Sequence, residues 1–271
     1  MPKATVNGVN MYYEVHGEGE PLVLIMGSFG SLEAWSLQIH AFRKHYKVIV
    51  FDNRGIGRTD KSPEPYSIAT MADDTVGLMD HLGIDKAHVL GMSLGGPVAH
   101  DIAINYPQRL KKLVLVCSIA GADRTHLHPD IIKALGVEEG IQEVDLRSID
   151  FNKVMMATVY LAFNDKSLRD SLSVQAESWF KQFDVEGFVR QWEAVASYSA
   201  LERLHKIEAQ TLVITGTGDR IVNPHSSEVI AGLIRNSRLV KVEGGSHAFF
   251  MEMSDRFNKE VLDFLKDCKN C

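Results

Sequence analysis

Six residues restrict this chain more than any others: Gly91-Met92-Ser93-Leu94-Gly95-Gly96, set between the short run Ala87–Leu90 and a helical pattern over Leu94–Asn105. A strand that turns into a helix within so few residues must reverse sharply. Side chains two positions before and two after Ser93 are expected to collide in such a turn, so both positions want glycine. Ser93 itself is expected in strained backbone geometry. The turn lifts its hydroxyl clear of the sheet, at the positive end of a helix. Gly96, Ala99 and Ala103 would let that helix pack closely on the strands. Gly-x-Ser-x-Gly alone is a common pattern, and the plain alternative is a serine in a Gly-rich turn. The strand before it and the helix after it are what make Ser93 a candidate nucleophile.

The rest of the chain repeats the strand-then-helix rhythm. Met11–Val15 alternates side to side and reads as an early antiparallel strand. Leu22–Met26, Val48–Phe51, Leu113–Val116, Thr211–Ile214 and Leu239–Val242 read as further strands. Ile68–Leu82, Ser226–Ile234 and Asp255–Lys266 carry helical spacing. The fold class is therefore α/β, with a parallel sheet covered by helices on both faces. Residues 123–204 break the rhythm. They hold no convincing strand and are rich in large apolar side chains, among them Met155, Tyr160, Trp179 and Trp192. Residues 123–184 are read as an inserted helical lid, and 1–122 with 185–271 as the core.

Composition excludes several functions. The 271 residues carry a net charge of −6, with 45% hydrophobic and 24% charged residues. A nucleic-acid binder would need a basic face, and an anionic membrane a polybasic one. No apolar run is long enough to span a bilayer, and the N-terminus has no signal-peptide pattern. Three cysteines cannot build a disulfide scaffold. Cys117 reads as core. Cys268 and Cys271 form a C-x-x-C that trails off a helix end, the wrong context for a redox motif. The expected compartment is the cytoplasm.

A serine hydroxyl needs a base, and the base an orienting acid. Of eleven histidines, His247 has supporting context: it follows Leu239–Val242 through Glu243-Gly244-Gly245-Ser246 and precedes the last helix. Asp219 follows Thr211–Ile214 through Thr215-Gly216-Thr217-Gly218. Both lie on loops beyond strand carboxyl ends, where ligands bind in such sheets. Asp219 could instead be a capping carboxylate, and Asp123 is an alternative acid. Asp52-Asn53-Arg54-Gly55-Ile56-Gly57 invites a nucleotide reading, but the third glycine is replaced by Asp60 and no helix opens from it. His126 and His128 lack a ligating partner cluster, so no metal site is expected.

The order Ser93, Asp219, His247, with Leu24–Gly30, Phe51–Gly57 and Gly245-Ser246-His247, resembles the α/β-hydrolase fold family over nearly the whole length. That resemblance implies a mostly parallel eight-stranded sheet, an inserted helical lid, a Ser-His-Asp triad, and neither metal nor organic cofactor. It implies an oxyanion hole of two backbone N–H groups, Ser28 and Leu94 by register, with Phe29 as the other candidate. The family's usual histidine before Gly27 is replaced by Met26. Phe29, Met92, Met155, Trp179 and Phe249 are candidate pocket residues. The expected substrate is a small ester or lactone, with carboxylesterases and enol-lactonase-like hydrolases nearest. Carbon–carbon bond hydrolases and perhydrolases share the triad, and the oligomeric state is left open, a homodimer included. A non-turnover receptor on the same fold is the alternative of another class.

Overall fold

Leu22-Val23-Leu24-Ile25 is apolar at every position because both faces of its strand are covered. Val23 and Ile25 join one buried cluster, Leu22 and Leu24 the other. Central strands of a parallel sheet need this continuous apolarity. The computed structural model describes residues 2–28, 30–62, 64–121, 151–171 and 185–266. Its strands are β1 (Lys3–Val6), β2 (Val9–His16), β3 (Glu20–Ile25), β4 (Tyr46–Phe51), β5 (Ala87–Met92), β6 (Leu110–Val116), β7 (Thr211–Gly216) and β8 (Ser237–Val242). They form one eight-stranded sheet in the order β1-β2-β4-β3-β5-β6-β7-β8. β1 and β2 pair antiparallel, as do β2 and β4, and every later pairing is parallel. The α/β architecture read from the sequence is present.

The helices are α1 (Ser36–Phe42), α2 (Ile68–His81), α3 (Gly95–Asn105), α4 (Phe151–Ala162), α5 (Val185–Ala196), α6 (His225–Leu233), α7 (Phe249–Glu252) and α8 (Ser254–Lys266). Residues of α2, α3 and α6 fill the cluster on one face of the sheet, and those of α1 and α8 the other. Ser67 starts α2 from an extended conformation, its Oγ accepting the Thr70 N–H at 2.9 Å. That removes one of the N–H groups a helix start leaves without a partner. No helix among the described residues is long and apolar enough to cross a membrane.

Among the elements with no assignment in the sequence are β1, α1 and α7. β1 joins β2 through Asn7 (φ 44°) and Gly8 (φ 79°), a two-residue hairpin turn in the left-handed region. The chain leaves the sheet after β6 and returns to almost the same point. Gly121 bridges Ser199, and the Ala200 N–H donates to the Ala120 carbonyl at 2.6 Å. Residues 123–184, the expected lid, fall within that excursion, and 123–150 and 172–184 lie outside the described residues. α5 docks on the loop after β4. A Cβ on Gly187 would stand 2.2 Å from the Gly55 carbonyl oxygen, and Gln191 Nε2 donates to the Arg54 carbonyl at 2.9 Å.

Candidate active site

The parallel strands β3 to β8 end on one edge of the sheet, and the candidate residues gather on the loops there. Ser93 sits between β5 and α3 with φ 53°, a left-handed conformation costly for any residue with a side chain. Its N–H donates to the Val116 carbonyl at 2.9 Å, and its carbonyl receives the Gly96 N–H at 2.9 Å. The strand ladder and the first helical turn thus hold it from both sides. The glycines work differently from the side-chain collision expected between positions 91 and 95. A Cβ on Gly91 would lie 2.2 Å from the Gly95 carbonyl oxygen, and one on Gly95 would lie 2.2 Å from that of Ile25. Each would strike backbone, which cannot move aside. Gly96 lies against Ser118, where a Cβ would be 1.8 Å from Oγ. Ser93 is half-buried, so the elbow remains open to a small molecule.

Asp219 and His247 meet across the next loops. His247 Nδ1 lies 2.8 Å from Asp219 Oδ2. Asp219 Oδ1 accepts the N–H groups of Ile221 at 2.8 Å and Val222 at 3.0 Å. Asp219 is 2% exposed and His247 is 6% exposed. A carboxylate only accepts, so the proton between them is carried by Nδ1. The two loops touch through their main chains. A Cβ on Gly216 would lie 2.1 Å from the Gly245 carbonyl oxygen. The Gly218 N–H donates to that carbonyl at 2.8 Å, and Thr217 Oγ1 accepts the Gly244 N–H at 2.8 Å.

Cys117 belongs to this site, which its apolar sequence context concealed. It follows β6, between the strands that carry Ser93 and Asp219, and has φ 44°. Its Sγ and the ligand atoms of Asp219 and His247 lie within 4.8 Å of one another. Burial, and then the Asp219 charge, push its thiol well above the ordinary range. The sulfur is therefore a neutral S–H, unsuited to act as a thiolate nucleophile or ligand without losing that proton.

The loop after β3 forms another wall. A Cβ on Gly27 would come within 2.8 Å of Ser93 Cβ. The Gly27 carbonyl turns inward to receive the Gly30 N–H at 3.3 Å. Because a trans peptide points its two polar groups oppositely, the Ser28 N–H faces out of that turn. No backbone carbonyl among the described residues receives the N–H of Ser28 or of Leu94. Asn53 Nδ2 holds the Met26 carbonyl at 2.8 Å, and the Met26 side chain lies under Gly30. The Asp52–Gly57 loop is internally engaged. Asp52 accepts the N–H groups of Leu32 and Arg58, and Arg54 makes a two-pronged ion pair with buried Asp74 at 2.8 and 2.6 Å.

The candidate pocket residues fall in different places. Met92 is 3% exposed, with its sulfur against Gly27. Phe249 is fully buried and meets Phe257 edge-on at 5.5 Å, packing beneath the His247 loop. Met155 on α4 is 4% exposed and belongs to neither sheet-facing cluster. Phe29 and Trp179 lie outside the described residues, as do Asp123, His126, His128, Cys268 and Cys271. No local motif marks Cys117, Asn164 or Glu252 for this site, and Asn53 is marked in the sequence only as part of the Asp52–Gly57 loop.

A family model of the alpha/beta hydrolase fold matches residues 20–142 and 145–253. The chain belongs to the α/β-hydrolase family. It is 29% identical to a protein of Azorhizobium caulinodans named carbamate hydrolase RutD, over 97% of this chain and 98% of that one. The enol-lactonase of Burkholderia xenovorans superposes with a TM-score of 0.86 at 27% identity, over 98% of this chain and 100% of that one. A meta-cleavage product hydrolase of Pseudomonas fluorescens does so with a TM-score of 0.84 at 27% identity, over 99% and 98%.

Proposed function

We propose that this chain is a serine hydrolase that cleaves an ester-type bond of a small, largely apolar molecule, with Ser93 as nucleophile, His247 as base and Asp219 as orienting acid. One observation carries the reading. A strained serine at φ 53° heads a helix, and a buried His247–Asp219 pair at 2.8 Å stands on loops of the same sheet edge. In the proposed reaction His247 Nε2 takes the Ser93 proton as Oγ bonds to the acyl carbon. The carbonyl oxygen becomes an oxyanion facing the N–H groups of Ser28 and Leu94. The bond to the leaving group then breaks, and the leaving group takes the proton from Nε2. Water repeats both steps on the acyl-enzyme, releasing the acid and returning the proton to Ser93. Asp219 holds the tautomer and stabilises the imidazolium.

The apolar preference rests on α4, where Met155 is buried outside both core clusters and Met156 and Tyr160 are 37% and 51% exposed. A lactone is the second reading, favoured by the likeness to the enol-lactonase. A lactone differs only in that its leaving group stays tethered. The test is a panel of short aryl esters, lactones, carbamates and vinylogous diketones, run on wild type and Ser93→Ala. Wild type should release product in a burst with at least one acyl class, and Ser93→Ala should lose at least about a thousandfold in kcat. Equal turnover by the two proteins would refute the assignment of Ser93. Binding without turnover by wild type would favour the receptor alternative.

A further inference from the structure

The chain that comes out of α4 does not simply pass the site. Leu161, Ala162 and Phe163 are buried in the core cluster that also holds Ala248 and Phe249. The Ala248 N–H, one residue past His247, donates to the Ala162 carbonyl at 2.9 Å. Ser246 Oγ, one residue before His247, donates to Glu252 Oε2. Glu252 Oε1 receives the Asp165 N–H at 2.6 Å. Between these ties stands Asn164. Its Nδ2 donates to the Gly244 carbonyl at 3.1 Å and reaches the Gly218 carbonyl at 3.5 Å. Gly218 precedes Asp219, and Gly244 leads into the His247 loop. One side chain therefore bridges the loop of the acid and the loop of the base.

From this bridging we propose that Asn164 is a positioning residue which, with Glu252, fixes the Asp219–His247 pair from the segment that continues α4. The proposal rests on the reading of those two residues as acid and base. The chemistry of the bridge is specific. Two carbonyl oxygens need two donated protons, and an amide NH2 supplies both from one nitrogen. A hydroxyl has one proton and a carboxylate none. Gly218 fits the same account, since a Cβ there would stand 2.8 Å from Asn164 Nδ2. The consequence is mechanical. Any displacement of α4 along this segment pulls on both neighbours of His247, and an error near 1 Å in a catalytic group costs up to about a hundredfold in rate.

The test uses the full chain and two readouts that need no knowledge of the substrate. One is the rate at which a fluorophosphonate labels Ser93, as a function of probe concentration. The other is the downfield proton resonance of His247 Nδ1–H. Asn164→Ala should slow the saturating labelling rate by about tenfold or more, leave the half-saturating probe concentration near wild type, and move or broaden the resonance. Asn164→Asp has the same shape but sets a carboxylate against two carbonyls, so it should be at least as slow. Glu252→Ala removes the acceptor of both the Asp165 N–H and the Ser246 hydroxyl and should slow labelling as well. Wild-type behaviour of Asn164→Asp would reduce the side chain to a space filler and overturn the proposal. So would unchanged labelling and resonance in Asn164→Ala. If the alanine variant does not fold, Asn164→Ser, which keeps one donor, should give an intermediate rate, and a wild-type rate would overturn the proposal. A wild type that is not labelled at Ser93 would instead sink the serine-hydrolase reading, and the resonance alone would then decide the role of Asn164.

Discussion

Two residues with side chains hold left-handed backbone at the sheet edge, Ser93 at φ 53° and Cys117 at φ 44°. Such conformations cost about 1–3 kcal/mol each and persist where the surroundings impose them. For Ser93 the surroundings are two fixed hydrogen bonds and glycines placed against backbone oxygens. For Asp219 the decisive fact is that its carboxylate is held by donors, two main-chain N–H groups on one oxygen and the His247 ring on the other. Asp219→Asn keeps an oxygen for the two N–H groups but turns its NH2 toward His247 Nδ1, which can accept that donor only when the ring proton sits on Nε2 instead. We expect it to fold and to lose roughly 10³–10⁴ in kcat through the wrong imidazole tautomer. Steady-state hydrolysis of an ester accepted by wild type measures this. Wild-type activity in Asp219→Asn would remove Asp219 from the proposed mechanism.

At the scale of elements, a motif was readable where its physics is local. The strand, the tight turn and the helix around Ser93 lie in one stretch of sequence, as do the strands that precede Asp219 and His247. The Asn7-Gly8 pair, left-handed at both positions, is the local signal that marks the β1–β2 hairpin. The docking of α5 could not be read, because it depends on two glycines far apart in sequence, Gly187 and Gly55. Their backbones meet so closely that an added Cβ would stand 2.2 Å from a carbonyl oxygen. Gly187→Ala is therefore expected to push α5 off the loop after β4, at a cost of about 1–3 kcal/mol. A denaturant melt would show a lower midpoint, and an unchanged midpoint would mean that the contact yields freely.

At the scale of the whole molecule, a buried histidine contributes a pH dependence. His100, on the helix that carries the elbow, is completely buried, and among the described residues neither ring nitrogen has a hydrogen-bond partner. Burial, with the Arg203 charge behind it, pushes its pKa down from 6.5 to about 3. The unfolded chain thus takes up this proton at a pH where the folded one does not. The neutral ring's share of stability is complete above about pH 6.5 and drains as pH falls toward 3. Between pH 7 and 5 this one group should remove about 2 kcal/mol. Urea melts at the two pH values should show a smaller loss for His100→Phe than for wild type. An equal loss in both proteins would assign the acid sensitivity to other groups.

What the sequence determined by itself was the alternation of strands and helices, the elbow at Ser93, and the loops on which Asp219 and His247 stand. These follow from periodicity and steric limits that act within a few residues. The tertiary structure alone decided that His247 Nδ1 meets Asp219, that Cys117 lies beside them, and that Asn164 and Glu252 grip both loops. Those contacts join residues tens to more than a hundred positions apart. No local pattern records them, because which loops share a sheet edge is set by the order in which the strands pair.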